Sequence, residues 1–254
     1  MRKHTWDHWS TDGLLRSAVN KLRIDYGYLR KHVTEFGRHI GHQGLIIDVG
    51  AMGSPHKDCF DFDRYVSIDI KGQNHLDLVG DACYLPFAGH TADAVICTEV
   101  LEHVRHPTKA LKEINRVLRQ GGHLVLSTPL LNGVHGETDF TRWTAAGLTA
   151  LLQEAGFEPL QMRSRGGLFS SVGAIIQRAP REILGLYSGK TRKWRWATYY
   201  ASLLALHLAF APATMLCTLL DGFDSSKNFT LGYSVLATKN RSISHTDVRS
   251  AYSG

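Results

Sequence analysis

Residues 45–54, which read LIIDVGAMGS, decide the fold class of this chain. The stretch begins as a short apolar run rich in β-branched residues and ends in Asp48 and Gly50, as a strand buried in a parallel sheet does. The small residues that follow predict a tight turn, because glycine relieves the steric cost of bringing backbone close to a ligand. We therefore expect an α/β domain whose first strand lies here.

Further strands and helices alternate along the chain after this turn. Four more runs have the composition of strands: RYVSIDI (64–70), ADAVICTEV (92–100), HLVLSTP (123–129) and NFTLGYSVLATK (228–239). The segment PTKALKEINRVLRQGG (107–122) has its apolar residues on one helical face, and Gly121 and Gly122 are expected to end that helix. Thr144 is expected to cap another helix, TAAGLTALLQEAGF. Such alternation predicts a parallel sheet with helices on both faces.

The domain organisation follows from where this alternation starts and stops. Apolar residues recur at helical spacing from Thr11 to Ile40, which predicts an N-terminal helical lead-in. The expected parts are the lead-in (1–43), the sheet domain (44–178 and 227–240), an apolar helical insertion (179–226) and a flexible tail (241–254).

Composition narrows the class of protein without selecting a partner. The chain has 254 residues, 43% of them hydrophobic, and a formal net charge of +6, which permits an anionic partner but identifies none. Its four cysteines form no CxxC pair, and the first ten residues contain no apolar signal segment. We expect a cytoplasmic protein, or one on the cytoplasmic face of a membrane.

The polar residues that could bind a ligand follow the predicted strands. Asp48 and the glycine turn leave the first strand, and Asp69 ends the second about twenty residues later. A carboxylate in that place suits a pair of ribose hydroxyls, because it accepts two hydrogen bonds. Asp81, in DLVGDACYLPF, could accept a hydrogen bond from an exocyclic amine. Ligands of open α/β sheets bind at this edge, beyond the carboxyl ends of the strands.

In this order and spacing, these residues resemble the class I methyltransferases, specifically the group that includes the ubiquinone and menaquinone biosynthesis methyltransferases. The resemblance runs from about Gly44 to Leu160 and resumes at the last strand. It implies a Rossmann-like sheet of seven strands with an antiparallel last strand. It also implies S-adenosylmethionine as the cofactor and S-adenosylhomocysteine as the product.

The resemblance assigns the cofactor contacts residue by residue. The implied cofactor-binding residues are Asp48, Gly50, Ala51 and Gly53 in the first motif, Asp69 at the ribose, Asp81 and Ala82 at the adenine, and Thr98 and Glu99 in the fourth-strand motif CTEVLEHV. One position departs from the group, because Met52 stands where a glycine is usual and Gly53 is displaced by one residue.

The loop PLLNGVHGETDFTRWT (129–144) is where we expect the methyl acceptor to bind. Here His135 is the candidate base or substrate contact, and Asp139 and Arg142 are candidate orienting groups. An ion pair that fixes the loop is an equal alternative for Asp139 and Arg142. No metal site is expected, because the histidines lack a spacing that would place ligands on one face.

The insertion leaves three interpretations open. A basic run (Lys190, Arg192, Lys193 and Arg195) precedes an uncharged stretch from Trp196 to Leu220, which is long enough to span a bilayer. A span conflicts with the return of the chain to the sheet. A helix broken at Pro212 could lie in the membrane interface or form a re-entrant hairpin, with the basic run on anionic headgroups. A buried helical pair could instead form a lid or a homodimer contact.

The function these features predict is methyl transfer to a small-molecule acceptor that is hydrophobic, lipid-linked or a glycan on such a carrier, at oxygen or nitrogen. The alternatives are a non-catalytic cofactor-binding or scaffold protein, favoured by Met52, and a nucleic-acid methyltransferase, favoured only by charge. No nucleic-acid partner is expected, since no signature of such an enzyme is present.

Overall fold

The structure is a computed structural model that describes residues 23–72, 76–134, 136–183 and 195–240. The first half of the predicted lead-in, His135, the basic residues Lys190, Arg192 and Lys193, and the predicted tail 241–254 lie outside the described residues. Contacts divide the chain into two compact units. We call Met1–Lys31 with Ser164–Leu231 the helical unit, and His32–Arg163 with Gly232–Gly254 the sheet unit. The domain boundaries given by the sequence stay a prediction.

The sheet unit is built on one mixed sheet of seven strands. The strands are β1 (Gln43–Val49), β2 (Phe62–Asp69), β3 (Leu78–Val79), β4 (Ala92–Thr98), β5 (Leu118–Pro129), β6 (Phe157–Ser164) and β7 (Gly232–Lys239). Their order is β3-β2-β1-β4-β5-β7-β6, and β7 pairs antiparallel with β5 while β1, β2, β4 and β5 run parallel. This is the Rossmann-like sheet of seven strands with an antiparallel β7 that the resemblance implied, so the predicted fold class is confirmed.

The apolar runs become central strands because both faces of the sheet are covered. In β4 every residue from Ala92 to Cys97 is buried, and in β1 the run Ile46–Val49 is buried as well. Strands covered on both faces lose the alternation of polar and apolar residues, which is why LIIDV reads as a continuous run. Asp48 is the one charged residue within that run, and its burial raises the pKa of its carboxyl group.

For two helices of the sheet unit, the sequence pattern predicts the bounds of one correctly and misplaces the end of the other. Helix α3 (Ala145–Glu154) starts at Thr144, whose hydroxyl accepts a hydrogen bond from the Gly147 N–H at 3.2 Å, so the predicted cap is confirmed. It ends before Gly156, which has a φ of +84°.

The predicted end of the preceding helix is wrong. Helix α2 covers only Pro107–Val117, and Leu118 already has the extended backbone of β5, where it pairs with Ala92. Gly121 and Gly122 therefore lie inside the strand. The Lys239 Nζ donates to the carbonyl oxygens of Asn115 and Leu118, at 2.6 and 2.8 Å, and so satisfies acceptors at the end of α2.

The helical unit contains most of the predicted insertion. Helix α1 (Ile24–Ile40) belongs to this unit up to Lys31, and helices α4 (Leu168–Ile183) and α5 (Arg195–Leu220) form the rest of it. Helices α4 and α5 approach closely at Gly173, where an added Cβ would lie 3.0 Å from Cys217 Cβ. A buried carboxylate, Asp221, accepts hydrogen bonds from Gly167 N and Ser170 N just beyond α5.

The predicted break at Pro212 is wrong, because α5 continues through it as one helix. Proline removes one backbone donor, yet Pro212 lies on the exposed side of α5, where solvent can hydrate the carbonyl left without a partner. Among the described residues, no helix is both long enough and apolar enough to cross a membrane.

Candidate functional site

The turn that leaves β1 admits only glycine at its first position. Gly50 has a φ of +73°, and a Cβ there would lie 2.3 Å from Val100 Cγ2. The turn is also held to the second strand, since Gly50 N and Ala51 N both donate to Ile68 O, at 2.8 and 3.1 Å. The backbone of the two strands is therefore drawn together at their carboxyl ends.

The same turn contains residues whose backbone is unfavourable for their type. Met52 and Ser54 have φ values of +41° and +48°, on either side of Gly53 at +128°. A left-handed backbone costs a residue with a Cβ about 1 kcal/mol or more. The Met52 side chain is 59% exposed, so no packing offsets that cost at its thioether. The departure from the family pattern is thus a local conformational strain.

Asp48 lies beneath this turn and is buried, with only 3% of the residue exposed. Its Oδ2 accepts a hydrogen bond from the Tyr65 hydroxyl at 2.7 Å. Burial raises the pKa of Asp48 to about 6, against the opposing effect of hydrogen bonds from Tyr65 and Ser54, and the nearby Asp69 raises it further. Asp48 therefore links the turn to β2, because it accepts hydrogen bonds from Ser54 in the turn and from Tyr65 in β2.

Asp69, at the end of β2, contacts the same turn through its carboxylate. Its Oδ2 accepts from Met52 N at 3.2 Å and its Oδ1 accepts from Lys71 N at 2.9 Å. Each carboxylate oxygen can accept a second hydrogen bond, so the group keeps the capacity to bind a diol.

Asp81 and Ala82 form the loop that follows β3. Asp81 Oδ1 accepts from Cys83 N at 2.8 Å, and the Asp81 carbonyl accepts from Tyr84 N at 2.9 Å. Ala82 packs against the hydrophobic core. Part of the carboxylate of Asp81 therefore stabilises its own turn.

The fourth-strand motif places Thr98 and Glu99 at the end of β4. Glu99 has a φ of +55°, and its N–H lies 3.1 Å from both the carbonyl and the hydroxyl oxygen of Ser127. The Ser127 hydroxyl donates in turn to Glu99 Oε1 at 2.9 Å. Thr98 is paired with Ser127 across the parallel strands β4 and β5. Glu99 is thus held in a left-handed conformation at the ligand edge of the sheet.

Asp139 and Arg142 form an ion pair in the loop after β5. The guanidinium contacts both carboxylate oxygens, with Nη2 2.6 Å from Oδ2, and the Asp139 side chain is 1% exposed. The hydrogen bonds that Arg142 donates to Asp139 raise the pKa of Arg142, and the charges of Asp139, Glu102 and Glu99 raise it further. The alternative of an ion pair that fixes the loop is the arrangement observed. His135, the candidate base, lies outside the described residues.

An open cleft of about 250 Å³ lies beside this pair. Its lining residues are Leu130, Asn132, Val134, Asp139, Phe140, Thr141 and Arg142. The Phe140 ring lies 4.9 Å from the Arg105 guanidinium, and Phe140 N donates to the Glu102 carbonyl at 2.8 Å. The cleft is therefore lined both by apolar side chains and by one ion pair.

Three residues that organise the site were not predicted from the sequence: Tyr65, Ser127 and Glu102. Glu102 is fully buried, its Oε1 lies 3.8 Å from His103 Nε2, and its charge acts on Arg142. A carboxylate among the apolar residues Val100, Leu101 and Val104 was the available signal for Glu102. Tyr65 and Ser127 had none, because their partners come from neighbouring strands. Among the described residues, no group of three His, Cys, Asp or Glu side chains could hold a metal ion.

Comparison with known proteins adds to this geometry. The family described as Methyltransferase domain matches residues 56–126. The chain is similar to the ubiquinone biosynthesis O-methyltransferase of Xanthomonas oryzae pv. oryzae, with 28% identity over 137 residues that cover 47% of this chain and 55% of that relative. It is also similar to the demethylmenaquinone methyltransferase of Renibacterium salmoninarum, with 46% identity over 50 residues, 20% of this chain and 21% of that one. The chain spans about half the length, or less, of these curated relatives.

Solved structures share the fold over more of the chain. A chain in the complex of the Haloferax volcanii Trm112 methyltransferase activator with a methyltransferase has a TM-score of 0.59 and 18% identity, and the match covers 95% of this chain and 100% of that one. The cyclase SpnF has a TM-score of 0.55 and 20% identity, with 85% and 81% covered. At such identities the likeness shows the fold alone.

The fold and the matched segment together indicate the class of this protein. Residues 56–126 match the Methyltransferase domain family, and the seven-stranded sheet has the fold of the class I, S-adenosylmethionine-dependent methyltransferases. Within that class, its named relatives are the ubiquinone and menaquinone biosynthesis methyltransferases, as the sequence predicted.

Proposed function

We propose that the chain transfers a methyl group from S-adenosylmethionine to a small-molecule acceptor. The observation that carries this proposal is the edge of the sheet at the carboxyl ends of the strands. There, a turn that admits only glycine at residue 50 follows β1, and the carboxylate of Asp69 lies at the end of the neighbouring strand β2. The cofactor supplies a methyl carbon already activated by a sulfonium. The protein has to bind and orient both reactants and exclude water.

The proposed cofactor contacts divide between backbone and side chains. The backbone of Gly50, Ala51 and Gly53 contacts the cofactor, and Asp69 accepts hydrogen bonds from the ribose hydroxyls. Asp81 and Ala82 hold the adenine, and Thr98 and Glu99 approach from β4. Asp48, buried below the turn, acts as a positioning residue through its hydrogen bonds with Tyr65 and Ser54.

The cleft beside Asp139 and Arg142 is the proposed acceptor site, because it opens at the same edge of the sheet unit. Its lining of Leu130, Val134 and Phe140 supports a hydrophobic or lipid-linked acceptor. An amine acceptor needs little help in losing its proton, whereas a hydroxyl acceptor needs a general base. His135 is the proposed base for that second case, with Asp139 and Arg142 as orienting groups.

The first test is isothermal titration of the purified protein with S-adenosylmethionine and S-adenosylhomocysteine. The Asp69→Ala variant should lose at least about tenfold in affinity, the loss expected for two hydrogen bonds to a charged group. Asp61→Ala is the matched control, because Asp61 is an exposed carboxylate just before the opposite end of β2. Unchanged affinity in the Asp69 variant, with a folded protein, would contradict the assignment of the ribose site.

A second candidate function is cofactor binding without methyl transfer. The strained backbone of Met52 favours it, since the strained turn is the proposed contact with the cofactor. Met52→Gly should then bind S-adenosylmethionine more tightly than the wild type, and Met52→Ala should not, because alanine keeps the Cβ and hence the strain. Equal binding by all three proteins would show that the turn has adapted to methionine. A nucleic-acid acceptor has only the net charge of +6 in its favour.

The proposed location is the cytoplasm or the cytoplasmic face of a membrane. A membrane contact through residues 190–220 would bring the domain to a lipid-linked acceptor, and a homodimer contact is the other use of the same segment. Methylation of a lipid-linked acceptor should then increase when the protein is bound to vesicles.

A further inference from the structure

Between Ala205 and Leu219, helix α5 exposes an apolar half. Among the described side chains of this stretch, the exposed ones are Ala205, Leu208, Ala209, Ala211, Pro212, Met215, Leu216, Thr218 and Leu219. At 100° per residue they occupy about half of the helix circumference, over a length of about 21 Å. The intermediate residues Leu206, Phe210, Ala213, Thr214 and Cys217 occupy the other half. We call the exposed half the α5 face.

The composition of the α5 face is the reverse of what a surface helix of a globular protein shows. Such a helix places charged and polar residues toward solvent and apolar residues toward the core. Here Leu208, Met215 and Leu219 are 64%, 67% and 67% exposed. The one hydroxyl on the face, Thr218 Oγ1, donates to the Thr214 carbonyl at 2.9 Å within the helix. The face therefore offers a partner apolar area and almost no hydrogen bonds.

Neighbouring parts of the helical unit expose apolar residues as well. On α4, the exposed residues Leu168, Val172 and Ile175 follow the spacing i, i+4, i+7. Beyond the end of α5, Phe223 is 82% exposed. Exposed apolar residues that recur at helical spacing mark an interaction surface, since single scattered ones are ordinary.

Charge complementarity selects the occupant. No aspartate or glutamate occurs between Ile183 and Leu220, while the sequence that leads into α5 carries Lys190, Arg192, Lys193 and Arg195. Basic residues next to an apolar helix are attracted to the negative surface potential of anionic lipid. A protein partner would make about one hydrogen bond per 100–200 Å² of interface, and the α5 face has almost none to give. A bilayer requires none.

We propose that the α5 face docks on an anionic phospholipid surface, with the helix lying in the interface rather than crossing it. This inference rests on the membrane contact proposed above and names the face and the lipid. The docking is independent of the cofactor site, which belongs to the sheet unit.

The test is flotation of the full chain with vesicles of phosphatidylcholine and phosphatidylglycerol in equal parts, beside vesicles of phosphatidylcholine alone. The wild type should float with the mixed vesicles and weakly, or not at all, with the neutral ones. The triple variant Leu208→Glu, Met215→Glu, Leu219→Glu should lose at least about a hundredfold in partitioning, because each substitution replaces an apolar side chain that enters the lipid with a charged one. Leu160→Glu is the matched control, as Leu160 is 45% exposed on β6 of the sheet unit.

Three results would overturn the proposal: no flotation of the wild type, equal flotation of the triple variant, or equal binding to both kinds of vesicle. A dimer in sedimentation that the triple variant converts to monomer, without vesicle binding, would assign the face to a second copy of the chain. Titration with S-adenosylmethionine separates this proposal from the previous one. The triple variant should keep the wild-type affinity for the cofactor, so loss of docking and loss of the cofactor site are distinguishable.

Discussion

At residue 50, two separate constraints act on one position. The left-handed φ of +73° excludes side chains on conformational grounds, and Val100 excludes them on steric grounds. The sequence indicated the first constraint, because a glycine after a buried strand is a turn signal. It contained no sign of the second, since Val100 reaches the turn only when β4 lies beside β1.

The Gly50→Ala variant should separate these constraints. Its cost should be about 2–5 kcal/mol in the free energy of unfolding, the sum of left-handed strain and overpacking. Gly41→Ala is the matched control, because Gly41 has a φ of +66° and no atom within 4 Å of an added Cβ. That control should lose only about 1–2 kcal/mol. Equal losses in urea unfolding would mean that Val100 moves aside at little cost.

The raised pKa of Asp48 has a consequence for stability. Its pKa of about 6 in the folded chain exceeds the unfolded value of about 3.9. Between these pH values the folded state keeps a proton that the unfolded chain has released, so this group lowers the free energy of unfolding as the pH rises from about 4 to about 6. Above that window the penalty is constant.

The Asp48→Asn variant should therefore gain stability relative to the wild type as the pH is raised through this window, by about 2–3 kcal/mol. Denaturant unfolding at several pH values measures the difference. Asp77→Asn is the control with the opposite sign. A backbone hydrogen bond from Ser67 lowers the pKa of Asp77, so that group stabilises the fold above its unfolded pKa and loses its contribution as the pH falls. Parallel curves for wild type and Asp48→Asn would contradict the raised pKa.

Among the elements, the end of α2 shows where sequence reasoning failed. Gly121 and Gly122 were interpreted as a helix stop, but pairing of Leu118 with Ala92 ends the helix earlier. That pairing joins residues distant in sequence, so no local pattern contains it. The start of α3 was predictable, because the cap at Thr144 and its partner lie within one turn.

Lys239 links two elements by satisfying the carbonyls at the end of α2 from the last residue of β7. Lys239→Met keeps most of the apolar stem and removes the ammonium, so buried acceptors lose their donor. The expected cost is about 1–3 kcal/mol in the free energy of unfolding. Lys112→Met, at an exposed position of α2, should change it by less than about 0.5 kcal/mol. A cost no larger than that of the control would show that water replaces the ammonium.

At the scale of the whole molecule, the fold was predictable and the acceptor was not. Strand composition and the order of Asp48, Asp69 and Asp81 indicated the Rossmann-like class from sequence alone. The family resemblance that these residues carry implied the antiparallel last strand. The proposed acceptor site lies in the loop after β5, where the charges of Glu102 and Glu99 act on Arg142 only once β4 and β5 are paired. Asp139 and Arg142 lie three residues apart in the sequence, so their pairing was predictable, whereas no local pattern indicated that Glu102 acts on Arg142.

The position of β7 has a consequence for how the protein is made. This strand is the last one among the described residues, yet it lies in the sheet between β5 and β6. While the ribosome is still translating the codons before Gly232, β5 and β6 each present an unpaired edge. The nascent sheet unit can close only after residues 232–239 have left the exit tunnel. Chaperone demand should therefore peak late in translation, and chains released before that point should be degraded or aggregate.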